Sequence, residues 1–158
     1  MIRDLDPVTD LSAVAAVLQE AADYWLLAEG AAPGPTAAAD FFTDGPPDVD
    51  RSLSQHLGLF VDGRLSGLAE LSFGFPATGD AYLGLMILAP RLRGVGHGRA
   101  LLAEVEARAR AARAPALYLG VLEVNPRGAA FWAREGFAPT GVSRGAGRDL
   151  IHRLVKPL

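Results

Sequence analysis

The chain has 158 residues, 50% hydrophobic and 21% charged, with a formal net charge of −3. That length suits one domain with its own core, and the mild acidity speaks against a nucleic-acid binder. There is no cysteine, and His56, His97 and His152 lie far apart without ligand spacing, so disulfides, thiolate chemistry and a metal centre are not expected. The opening MIRDLDPVTD is acidic and broken by proline, unlike a signal peptide, and no apolar run approaches the roughly 20 residues of a membrane span. The reading is a cytoplasmic protein with no membrane partner.

Met1 to Leu5 reads as a short strand. Asp10 is placed to cap a helix from Leu11 to Trp25, with Leu11, Val14, Ala15, Leu18 and Ala22 as its apolar stripe. Residues 29–40 are rich in breakers, with a short helix expected over Thr36 to Phe42. A further helical turn or two is expected over Val49 to His56. Leu57 to Val61 and Arg64 to Phe75 then form a hairpin about Asp62-Gly63. After a second turn at Pro76 to Asp80, a strand ends in the apolar run Leu85 to Leu88, as expected of a strand covered on both faces.

Pro90 ends that ladder. The loop that follows, Arg93-Gly94-Val95-Gly96-His97-Gly98, leaves backbone N–H groups free to turn inward at the start of an Ala/Leu-rich helix. It suits a phosphate or pyrophosphate, with Arg91, Arg93 and Arg99 supplying charge. The GxxxxGK[ST] pattern is absent, and GxGxxG fails because position 99 is Arg99. The helix runs to about Ala112, with Glu104/Arg108 and Glu106/Arg110 as i,i+4 pairs on its outside. Leu117 to Leu122 is a buried-type strand, parallel to the one before the helix. Asn125 and Pro126 open a short helix that Gly136 ends; Phe137 starts a strand, and segments around Val142 and Arg148 to Val155 close the sheet as an antiparallel pair.

Two ordered signatures lie in this half: R-x-x-G-x-G after an apolar strand, and N-x-x-x-x-x-F-W-x-x-x-G-F from Asn125 to Phe137 about 30 residues later. Together they resemble the GCN5-related N-acetyltransferase (GNAT) family. The resemblance implies an α/β (α+β) fold: a mixed, mostly antiparallel sheet of about six to seven strands, helices on both faces, and parallel, splayed fourth and fifth strands. It implies transfer of the acetyl group of acetyl-CoA to a primary amine of a small molecule or peptide by direct attack, without a metal, and leaves room for a homodimer.

On that resemblance, Met86, Ile87 and Leu88 present backbone N–H groups to the acetyl thioester and pantetheine. Arg93, Gly94, Val95, Gly96, His97, Gly98 and Arg99 hold the pyrophosphate, and Asn125 bonds the pantetheine arm. Trp132 stands where many members have a tyrosine acid. An indole N–H is far too weak an acid for that task, so Trp132 is expected to pack against the cofactor or core; the acid is then water, Tyr118 or Tyr82, or none is needed, since a CoA thiolate is a fair leaving group. Glu70, set in an apolar strand, and Glu123, just past the fifth strand, are the candidate bases. Tyr24 and Trp25, with Asp23 and Glu29, form a candidate acidic, aromatic wall for the acceptor. The missing tyrosine keeps an alternative open: a non-catalytic acyl-CoA-binding or sensing module on the same fold.

Overall fold

The computed structural model describes residues 1–158. Its strands are β1 (Ile2–Asp4), β2 (Gln55–Val61), β3 (Arg64–Phe73), β4 (Ala81–Leu88), β5 (Ala116–Leu122), β6 (Ala138–Arg144) and β7 (Ile151–Pro157). Its helices are α1 (Leu11–Glu20), α2 (Ala22–Glu29), α3 (Ala37–Thr43), α4 (His97–Ala111) and α5 (Pro126–Arg134). The strands form one sheet in the order β1-β2-β3-β4-β5-β7-β6. Only β4 and β5 pair in parallel; every other neighbour is antiparallel. The expected mixed sheet is present. The closing pair is also present, but β7 rather than β6 lies beside β5.

Two apolar layers follow from the two periodicities of the sequence. On one face Val14, Val17, Leu18 and Ala21 pack with Phe41 of α3 against Leu68 and Ile87. On the other, Leu101, Leu102, Val105 and Ala109 of α4 cover Leu71, Leu83 and Leu119. Burying a leucine in this way contributes about 1.5–3 kcal/mol. No helix is long and apolar enough to cross a membrane.

The N-terminal expectations need correction. The helix read as Leu11 to Trp25 is two helices, broken at the fully buried Ala21. Leu11 and Ala15 are exposed, and the stripe runs instead through Val14, Val17, Leu18 and Ala21. Over Val49 to His56 there is only a short 3-10 turn at Arg51–Leu53 before β2 begins. On α4 the Glu104–Arg108 pair forms at 2.8 Å. Glu106 is buried and meets Lys156 rather than Arg110, because β7 runs beneath that helix.

Asp10 occupies the N-cap position of α1 but makes no cap bond. Arg3 donates to both of its oxygens at 2.9 Å, and the Asp6 N–H donates at 2.7 Å. The Arg3 hydrogen bond first, then the Asp6 N–H, hold its pKa down from 3.8 to about 2. A depressed carboxylate stabilises the fold above its ordinary pKa and loses that contribution as pH falls through the folded value. Asp10→Asn is therefore expected to melt at a lower temperature than wild type at pH 7, with the gap closing as pH falls from 3.8 towards 2. Melts followed by circular dichroism across that range check it; a gap that survives at pH 2 would show that the charge is not its source.

The feature that positions the site is a double irregularity in β4. Leu83 pairs with Leu71 and Leu85 with Glu70, so Gly84 is an extra, bulged residue. The bulge changes which side chains face each layer: Leu83 and Met86 face α4, whereas Leu85 and Ile87 face α1. On its other edge β4 pairs with β5 only through Ala81↔Leu117, Tyr82↔Tyr118 and Leu83↔Leu119. Beyond Leu83 the two strands part, as the resemblance implied.

Candidate active site

Two cavities meet across the parted end of β4. The first, of about 560 Å³, is lined by Gly84 and Leu85; the second, of about 590 Å³, is lined by Met86, Ile87 and Leu88. A single strand therefore changes allegiance from one cavity to the other between residues 85 and 86. Tyr24 of α2 lines both.

The second cavity holds the glycine loop. Gly94 and Gly96 have φ of +80° and +93°, and no atom lies within 4 Å of a Cβ built on either. The turn entering α4 is thus left-handed and open, with unpaired N–H groups at the positive end of a 15-residue helix. Arg93 and Arg99 line the cavity as expected. Val95 and His97 do not line it, and Val95 points to solvent at 71% exposure. Arg91 also departs from expectation: it turns away to Glu20 at 3.1 Å and to Ser66 Oγ at 2.8 Å. Arg127 and Arg134 of α5 take its place on the cavity wall, two residues that the loop motif does not reach.

Asn125 Oδ1 accepts from the Gly128 N–H at 3.0 Å, capping α5, and the same residue lines the second cavity. Trp132 lines it too, its ring edge-on to Phe131 and Phe137 at centroid distances of 4.9 and 5.4 Å. Arg93 is clamped by Asp23, whose carboxyl it holds below the usual carboxylate range, and it also donates to the Leu88 carbonyl at 3.2 Å. Asp23, read from the sequence as part of the acceptor wall, thus belongs to the second cavity.

The first cavity has Glu70 in its floor. Residue Glu70 is only 2% exposed; Ser72 donates to its Oε1, and the Arg51 guanidinium stands 3.9 Å from the same oxygen. Its Oε2 lies against Gly84, so close that a Cβ built there would overlap it. Burial pushes the Glu70 carboxyl up, opposed by the Ser72 hydrogen bond and by Arg51. Tyr24, Trp25 and Phe41 wall the cavity, and Glu29, Asp40 and Asp44 stand around it. Tyr24, Trp25 and Glu29 were legible as a wall; Asp40 and Phe41 on α3, and Asp44 just past its end, were not, since so short a helix has no periodicity to show which side it turns to the sheet.

The remaining candidates fall elsewhere. Glu123 lines neither cavity: it is surface-exposed and bonded to His152 Nε2, whose Nδ1 meets Ser143 Oγ at 2.7 Å. Closeness in sequence to the end of β5 does not bring it to the cavities, because it stays beside β7, where His152 meets it. Tyr118 lies opposite Tyr82, before the strands part, and lines neither cavity. The arrangement thus offers an anion-binding loop, an open strand edge and one buried carboxylate facing a separate pocket.

A family model, "Acetyltransferase (GNAT) family", matches residues 15–137. No curated protein matches the chain in sequence. Among solved structures, an acetyltransferase from Thermus thermophilus superposes with a TM-score of 0.80 at 23% identity, over 100% of this chain and 96% of that one. A ribosomal-protein-alanine N-acetyltransferase from Brucella melitensis gives 0.75 at 23% identity, over 100% and 99%. A PaiA N-acetyltransferase from Thermoplasma acidophilum, in complex with coenzyme A, gives 0.71 at 21% identity, over 100% and 98%. At these identities the likeness is one of fold.

Proposed function

Since the chain belongs to the acetyltransferase (GNAT) family, we propose that it transfers the acetyl group of acetyl-CoA to a primary amine by direct attack, with Glu70 as the general base. The observation that carries this reading is the placement of Glu70: a buried carboxylate in the floor of one cavity, against the bulge of the strand whose residues Met86 to Leu88 line the other.

The second cavity fits acetyl-CoA. Gly94, Gly96 and the start of α4 offer N–H groups to its pyrophosphate, and Arg93, Arg99, Arg127 and Arg134 offer charge. The unpaired edge of β4 from Met86 to Leu88 offers main-chain groups to the pantetheine arm and to the thioester oxygen as negative charge grows there. Asn125 stands beside the same path and Trp132 packs against it.

The amine enters from the first cavity. An ordinary alkylammonium has a pKa of about 10.4, so it must lose a proton before it can attack. Glu70 takes that proton, and a carboxyl raised by burial is a better match to it than an ordinary one. The nitrogen lone pair forms the C–N bond, the C–S bond breaks, and the CoA thiolate leaves and takes up, directly or through water, the second proton that the acylated nitrogen sheds. This scheme assigns no acid to Trp132, and gives no part to Glu123 or Tyr118.

The purified protein is expected to melt at a higher temperature with acetyl-CoA or CoA and not with ATP or NAD, because a ligand of the native state adds RT ln(1 + [L]/Kd). Free thiol should then be released from acetyl-CoA when primary amines are added. Stabilisation by both CoA forms without thiol release for any amine would mark a binding or sensing module instead.

A further inference from the structure

The first cavity carries more information about its occupant than the presence of a base. Its floor is Glu70 with Gly84, its walls are Tyr24, Trp25 and Phe41, and three more carboxylates, Glu29, Asp40 and Asp44, stand exposed at its mouth. None of these three is in an ion pair; Asp40 accepts only from Thr36 Oγ1, at 2.9 Å.

Two guanidiniums stand at the edge, and both give their hydrogen bonds to main-chain carbonyls, with Arg51 also 3.9 Å from Glu70 Oε1 on the floor. Arg51 binds Asp44 O and Pro46 O at 2.9 and 3.0 Å, and Arg148 binds Leu26 O and Leu27 O at 3.3 and 3.1 Å. No lysine or arginine lines the cavity itself. Negative charge is therefore present at two depths, on the floor and around the mouth, with aromatic faces between them. A monoamine would meet the floor alone.

From this two-level distribution we infer that the acceptor is a dication, an α,ω-diamine or polyamine. One amine is acetylated above Glu70 while the second ammonium stays at the mouth among Glu29, Asp40 and Asp44. The methylene chain between the two ends lies along Tyr24, Trp25 and Phe41, where apolar contact and cation–π attraction both favour it. The inference rests on the transferase reading for its chemistry, but the cavity's preference for two charges is a separate property.

Matched amines separate the two. With acetyl-CoA saturating, 1,4-diaminobutane and butylamine differ by one terminal ammonium, and 4-aminobutan-1-ol supplies a neutral polar end. The diamine is expected to show kcat/KM about tenfold above both at low salt, as a few exposed ion pairs allow, and the preference should fade as NaCl screens the mouth. The double variant E29Q/D44N should lower kcat/KM for the diamine and bring the ratio to butylamine towards one.

Calorimetric titration of each amine into the acetyl-CoA complex gives the binding preference without turnover. Selective binding of the diamine with no acetylation would uphold the cavity assignment and overturn the transferase reading. Acetylation of butylamine as efficient as that of the diamine, or a preference unchanged in E29Q/D44N, would overturn the dication assignment while the transferase reading stands.

Discussion

Glu70→Gln is expected to lower kcat by about a thousandfold, within the range of about 10²–10⁴ that a positioned base contributes. The same substitution should leave the protein at least as stable as wild type at pH 7. A carboxyl whose folded pKa is raised stabilises the fold below its ordinary pKa, and that contribution is lost as pH rises through the folded value. Once ionised, the buried carboxylate therefore costs stability. Glutamine keeps the shape and an oxygen for Ser72 without the charge.

Three readings check this: initial rates of thiol release, melting temperature at pH 7, and the pH profile. The wild-type profile should carry a rising limb from Glu70 ionisation that E70Q lacks. A variant with rates within about threefold of wild type would reduce Glu70 to a buried structural acid. A variant that loses both activity and stability would place its role in folding.

Gly84→Ala is the second large effect expected, a loss of about 100-fold in kcat/KM. A Cβ at this position overlaps Glu70 Oε2, so either the carboxylate must swing away from the cavity or the bulge must shift. Misplacing a reacting group by about 1 Å commonly costs about 10²-fold. Because the harm is routed through Glu70, the two substitutions should be far from additive: in an E70Q background, G84A is expected to cost at most about threefold. The affinity for acetyl-CoA, which the proposed reading seats in the cavity beginning at Met86, should change by less than about threefold. Full additivity in the double variant would show that Gly84 acts on the thioester strand and not on the base.

The architecture around the second cavity was readable from the chain because its signals are local. A proline after an apolar run, glycines at 94, 96 and 98, and a capping Asn125 before Pro126 each act within a few residues, and α4, α5 and the parted strands stand where these signals put them. The N-terminal half was harder because its decisive contacts are distant. Nothing between Leu18 and Tyr24 is a helix breaker, yet the chain turns at Ala21, where the stripe facing β3 ends. Asp10 has the composition of a cap but is captured by Arg3, seven residues back.

Glu70 was detectable as an acid in an apolar strand, whereas its partners were not: Ser72 lies two residues on along β3, and Gly84 lies on β4. Glycine within the apolar run Leu83-Gly84-Leu85 is a usable sign of a bulge. Glu123 shows the opposite failure. Its position after β5 looked significant, but pairing of β5 with β7 supplies His152 as a plain neighbour.

Most of the acceptor cavity comes from one continuous stretch, Tyr24 to Gly45, with only Glu70, Gly84 and Leu85 added by the sheet. The glycine loop and α4, which the proposed reading gives to the cofactor, lie more than forty residues further on in the chain. The two cavities thus draw on largely separate passages of the sequence, joined at α2, where Asp23, Tyr24 and Leu27 also line the second cavity. On the proposed reading, revising about twenty neighbouring codons would change what the protein modifies, provided that Tyr24 and Leu27 keep their places on the second cavity.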